Sequence, residues 1–122
     1  MTDRELLELA AKAIGCDGAK FEDGEWLELR YGYKVAMWHD DFDSYWNPLE
    51  SNADAFALAV KLNLHIGIEC ESAGVVCVEW NFDQGGFALQ SVEENAPVGG
   101  DDYAATRRAI ARAAAEIGRR MP

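Results

Sequence analysis

The sequence predicts an α+β domain, with a central, mainly antiparallel sheet of about four to five strands and three helices packed on it. Three amphipathic stretches carry start and stop signals for helices. Short alternating or apolar stretches, separated by turn residues, lie between them. Of the 122 residues, 49% are apolar, enough for one core without metal or disulfide staples. The length fits one domain over residues 1–122.

The first helix is expected from Asp3 to Ile14. Thr2 and Glu5 have capping-box spacing, so each side chain can satisfy a free backbone N–H. Leu6, Leu9, Ala10 and Ala13 recur at helical spacing. Gly15 can take the left-handed stop conformation. After a turn at Asp23-Gly24, Trp26 to Arg30 alternates, which predicts a strand with Leu27 and Leu29 on one face. A second strand is expected from Tyr33 to Trp38.

The second helix is expected from Asn52 to Leu62. Ser51 and Asp54 repeat the capping-box spacing. Ala55, Leu58, Ala59 and Leu62 form the stripe, and Phe56 and Val60 widen it, which predicts burial on more than one side. Asn63 suits the left-handed cap.

A hairpin follows, from 65–71 to 75–82. A three-residue loop, Ser72-Ala73-Gly74 with Gly74 left-handed, pairs Ile66 with Trp80, Ile68 with Val78 and Cys70 with Val76 on one apolar face. Cys70 and Cys77 then point to opposite faces. His65 reads as a partly buried, hydrogen-bonded residue, and Trp80 as core. A strand from Phe87 to Val92 is expected after Gly85-Gly86, then a loop over 93–101. The third helix is expected from Asp102 to Arg120, with Tyr103, Ile110, Ala113, Ala114, Ile117 and Met121 as its apolar face.

The balance is 22 acidic against 11 basic residues, a net charge of -11. Residues 1–106 carry -15, while residues 107–122 carry +4. An acidic body disfavours nucleic acid, which needs a basic stripe, and anionic membranes. The acidity serves solubility or, in a sharper reading, attracts a basic protein partner. The charged start, Met1-Thr2-Asp3-Arg4-Glu5, predicts no secretion signal, and an odd cysteine count, Cys16, Cys70 and Cys77, then suits reduced thiols in a cytosol.

The candidate contact residues are His39, Asp40, Asp41, Asp43, Tyr45, Trp46 and Asn47, which join a strand to the second helix. An imidazole among carboxylates suits a general base or, with the aspartates, a metal. The same residue types serve a solvated turn whose aspartates satisfy backbone, or a recognition loop. Trp46 before Pro48 is expected to staple against Leu49 or Phe56. The stretch lacks the glycine and terminal glutamate of a calcium loop, and no second histidine or cysteine has zinc spacing. No cofactor motif is present. Cys16 has no base nearby in sequence.

Trp46-Asn47-Pro48-Leu49, followed by Asp54-Ala55 and Leu58-Ala59-Val60-Lys61-Leu62, resembles the phage α/β/α-sandwich domain family of small phage and prophage proteins. Glu5-Leu6-Leu7 and Ala105-Thr106-Arg107-Arg108-Ala109-Ile110 are similar to its first and last helices. The resemblance implies a three-layer α/β/α arrangement and a gene expressed in a bacterial cytoplasm. It implies no activity and no functional residues. The leading expectation is a non-enzymatic accessory module that binds a protein, in one version an acidic inhibitor of a basic host protein. The alternatives are a metal-dependent or hydrolytic enzyme using His39, Asp40, Asp41 and Asp43, and a self-associating structural subunit.

Overall fold

The computed structural model describes residues 1–42, 44–69, 74–81, 89–96 and 100–122. Among these, the chain is α+β, with four helices and two small antiparallel sheets rather than one larger sheet with three helices. The order is α1 (Asp3–Ala13), β1 (Lys20–Asp23), α2 (Glu25–Tyr31), β2 (Val35–Trp38), α3 (Asn52–Lys61), β3 (His65–Glu69), β4 (Val75–Asn81), β5 (Leu89–Asn95) and α4 (Asp102–Arg119). β1 pairs with β2, and β3-β4-β5 form the second sheet.

The helix caps follow from the sequence. Thr2 accepts a hydrogen bond from the Glu5 N–H, Ser51 from Asp54 and Asp101 from Ala104. Gly15 and Asn63 take positive φ after α1 and α3.

Residues 25–31 correct the expected strand. They form α2, with Glu25 and Glu28 near its positive end, Arg30 in its last turn and left-handed Gly32 after it. A strand would place Leu27 and Leu29 on one face, but Leu27 is fully buried while Leu29 is 87% exposed. Alternation over five residues is too short to exclude a helix that buries one position. The true first strand, Lys20–Asp23, pairs Phe21 with Met37 and Glu22 with Ala36.

The β3–β4 register is also corrected. Ile66 faces Val78 and Ile68 faces Val76, two residues from the expected pairing. The slip is even, so the same side chains share a face. Gly74 is left-handed as expected and donates to the Glu69 carbonyl. Ser72, Ala73, Glu71, the Cys70 pairing, Gly85-Gly86, Phe87 and Pro97 lie outside the described residues.

The core lies where α1, α3 and α4 meet one face of each sheet, around Leu7, Met37, Leu58, Val76, Val78, Trp80 and Ile110. Its axis is α4, which packs against α1, α3, β4 and β5. Ala109, Ala111, Ala113, Ala114 and Ala115 are buried, because small side chains let a helix be surrounded. Tyr103 and Met121, expected on that face, are exposed. Arginines of α4 tie this helix to the acidic body: Arg112 donates to the Glu93 carbonyl and to Glu94, and Arg108 pairs with Asp3.

Among the described residues β3 is an edge strand, and on this sheet α4 packs chiefly against β4 and β5. Ile66 and Ile68 are therefore exposed, as is His65, against the expected buried environment. Phe56 and Val60 of α3 face outward too, at 70% and 64% exposure, so α3 buries one side and not two. Phe56, Ile66, Ile68, Tyr103 and Ile110 line an open groove of about 580 Å³ between α3, α4 and β3.

Candidate functional site

The chain from β2 to α3 is held by Asn47, which is fully buried. Its side-chain amide donates to the Val35 carbonyl at 2.7 Å, and its side-chain oxygen accepts from the Leu49 N–H at 2.8 Å. Its backbone N–H donates to Asp54, which also accepts from the Tyr33 hydroxyl. Burial pushes the Tyr33 phenol up, Ser51 opposes this, and the charge and hydrogen bond of Asp54 add to it. Asn47 thus ties β2 to the start of α3, and the Trp46-Asn47-Pro48-Leu49 turn is a structural joint.

Trp46 is buried beside it. It exchanges backbone hydrogen bonds with Met37 and stacks on Phe42, with ring centres 4.9 Å apart. The expected staple against Phe56 does not form: Phe56 is in solvent, and the ring stacked on Trp46 is Phe42. Burial removes Trp46 and Asn47 from any contact surface.

Three candidate residues stay accessible at the turn: His39 is half-buried, and Asp40 and Asp41 are exposed. His39 Nδ1 accepts from the Asp41 N–H at 3.0 Å. Asp43 lies outside the described residues.

Tyr45 is half-buried and is the centre of a ring cluster. Its centroid is 5.8 Å from Trp26, 4.7 Å from Tyr31 and 5.2 Å from Trp38. Trp26, Tyr31 and Trp38 are each more than a third exposed. The rings come from α2, β2 and the following turn, which the β1–β2 pairing and the helical course of 25–31 bring together. Trp26 falls in the expected strand over 26–30 and Tyr31 just beyond it. With residues 25–31 helical, their ring centres lie 6.5 Å apart.

Glu22 of β1 belongs to the same surface. Hydrogen bonding to its carboxylate pushes the Tyr45 phenol up to about 12, with burial and the negative charge adding to it. Glu22 Oε2 is buried and meets no donor among the described residues. Segments 20–31 and 38–46 contain seven acids and two bases, so the ring cluster sits in a negative field.

Cys16 is the residue that linear spacing missed most completely. It is buried in the core cluster just after α1. The fold places its sulfur, a ring nitrogen of His39 and a carboxylate oxygen of Asp41 within 4.8 Å of one another. Burial pushes the Cys16 thiol up, Asp41 adds to this, and Lys61 opposes it. As an unaided nucleophile it is therefore poorly activated. Cys16 is more than twenty residues from His39 in sequence, and no local signal joins them.

Comparison of the chain with protein-family models, curated proteins and solved structures gave no match. Among the described residues, no helix is long and apolar enough to cross a membrane.

Proposed function

We propose that this protein is a binding module that takes a positively charged segment of another protein on the ring cluster of Trp26, Tyr31, Trp38 and Tyr45. The observation that carries this reading is the cluster itself: four rings around an exposed face, with the Glu22 carboxylate beside them. Arginine and lysine bind aromatic faces through the ring quadrupole, and a nearby carboxylate adds direct attraction. The net charge of -11 draws such a partner in. A basic host protein met by a phage accessory protein in a bacterial cytoplasm accords with the resemblance noted above.

An arginine-rich peptide titrated against tryptophan fluorescence tests this reading. Binding should weaken as salt rises, because exposed charges are screened. Replacing both Trp26 and Tyr31 by alanine should weaken it by about tenfold or more, since each cation–ring contact contributes roughly 0.5–2 kcal/mol. Circular dichroism checks that the double variant is folded. Equal affinity in a folded double variant, or no binding at millimolar peptide, would overturn the proposal.

A further inference from the structure

We propose that Cys16, His39 and Asp41 form a binding site for a divalent transition metal ion, with zinc as the ion their donor chemistry fits. The site is independent of the ring cluster. It rests on the convergence of three different ligand types from two separate parts of the chain: Cys16 after α1, and His39 and Asp41 in the turn after β2.

The geometry is close to what such an ion needs. Zinc bonds to sulfur, nitrogen and oxygen place tetrahedral ligand atoms roughly 3.4–3.6 Å apart. His39 Nδ1 and Asp41 Oδ2 are already 3.6 Å apart. One ligand atom from each residue lies within 4.8 Å of the others, so the widest separation must close by up to about 1.4 Å. Asp41 is exposed and stands on a turn, so the carboxylate is the partner free to move inward.

The histidine presents a ring nitrogen to this turn: its Nδ1 accepts the Asp41 N–H at 3.0 Å. A metal ion at Nδ1 takes the place of that N–H and uses the same lone pair. The ring also lies 5.8 Å from Phe42, which in turn stacks on buried Trp46. Packing of this kind holds a ligand's orientation.

The donor set selects the ion. A thiolate with an imidazole suits zinc, cobalt or other borderline-soft ions, while magnesium and calcium require all-oxygen shells. Three protein ligands at the edge of the core leave one position of a tetrahedron for water or a further ligand. Binding releases the thiol proton to solvent and leaves the oxidation states of sulfur and metal unchanged.

Cobalt(II) is a direct probe, because a cobalt–thiolate bond gives near-ultraviolet charge-transfer absorption that oxygen ligands do not. The full chain, reduced and stripped of metal, should develop this band on titration with cobalt(II), and zinc(II) should abolish it. Cys16→Ser should eliminate the band. Asp41→Asn, an exposed change that leaves the core intact, should weaken cobalt binding by about tenfold or more. If Cys16→Ser fails to fold, the Asp41→Asn and His39→Ala titrations decide the matter. Absence of the band at millimolar cobalt(II) would overturn the proposal. So would a band that persists in folded Cys16→Ser, or affinities unchanged in both Asp41→Asn and His39→Ala.

Discussion

Gly118 of α4 lies directly against the Leu9 carbonyl of α1. A Cβ at Gly118 would overlap that carbonyl oxygen, stand 2.9 Å from its carbon and 3.3 Å from the Ala13 nitrogen. These are backbone atoms, so a side-chain rotation cannot make room. The closeness of the two helices, α4 as the axis and α1 across it, depends on the missing side chain.

Gly118→Ala is therefore expected to destabilise the protein by about 1–3 kcal/mol, the usual cost of overpacking. At an uncrowded helical site the same change would stabilise by roughly 1 kcal/mol through propensity. Urea denaturation distinguishes the two by sign. A gain in stability would mean that the helices are further apart than described.

Asn47→Ala should be more damaging than its size suggests. It leaves the Val35 carbonyl and the Leu49 N–H without the partners they now have. Each buried group left unsatisfied costs about 1–3 kcal/mol. The midpoint of thermal unfolding should fall clearly, and hydrogen exchange should quicken around residues 47–52. An unchanged midpoint would show that the Trp46-Asn47-Pro48-Leu49 turn is not the joint between β2 and α3.

Tyr45 gives a pH signature. Its folded-state phenol, at about 12, lies above its ordinary value of 10.0, so the interaction with Glu22 stabilises the protonated form. The contribution to stability is complete below the unfolded value. It is lost as pH rises from there through the folded value. Ultraviolet titration of wild type minus Tyr45→Phe should show one late-ionising phenol. Glu22→Gln should bring it back toward the ordinary value. A Tyr45 that ionises normally in the wild type would separate Glu22 from the ring cluster.

Neighbouring residues of α3 should respond in opposite ways. Leu58 is buried to within 1% and Phe56 is 70% exposed. Leu58→Ala should cost about 2–5 kcal/mol, whereas Phe56→Ser should stay within about 0.5 kcal/mol of wild type. Denaturant midpoints of the two variants test the face that α3 presents to the core. A severe loss in Phe56→Ser would place that side chain inside.

The helices most legible in the sequence were those with local chemistry at both ends. Thr2, Ser51 and Asp101 act through atoms three residues away, so their effect is written in neighbouring positions. Helix α2 was not legible in this way. Gly24 has no side chain to cap it, and with one buried residue in seven its periodicity is weak. The hairpin was legible to the level of parity. Alternation determines which residues share a face, but registers differing by two preserve it equally well. Pairing across β4 and β5, such as Val78 with Val92, accompanies the observed choice.

The candidate surface was legible only in part. Tyr45 remains at its centre, and His39 and Asp41 remain accessible, but Trp46 and Asn47 turn inward to hold the chain. Trp26, Tyr31 and Glu22 join Tyr45 because α2 and β1 bring them there. Cys16 meets His39 and Asp41 through the path of the chain after α1.

By itself the sequence determined the α+β class, the ends of three helices, the left-handed turn at Gly74 and the division between an acidic body and a basic last helix. Those properties depend on neighbouring residues or on a sum of charges, and neither requires knowledge of the path of the chain. Only the tertiary structure decided that the strands form two sheets, that Phe56, Ile66 and Ile68 face solvent, and that four rings and a Cys–His–Asp group assemble. These depend on which distant elements cover one another, and a side chain's apolar character does not specify the element that will bury it.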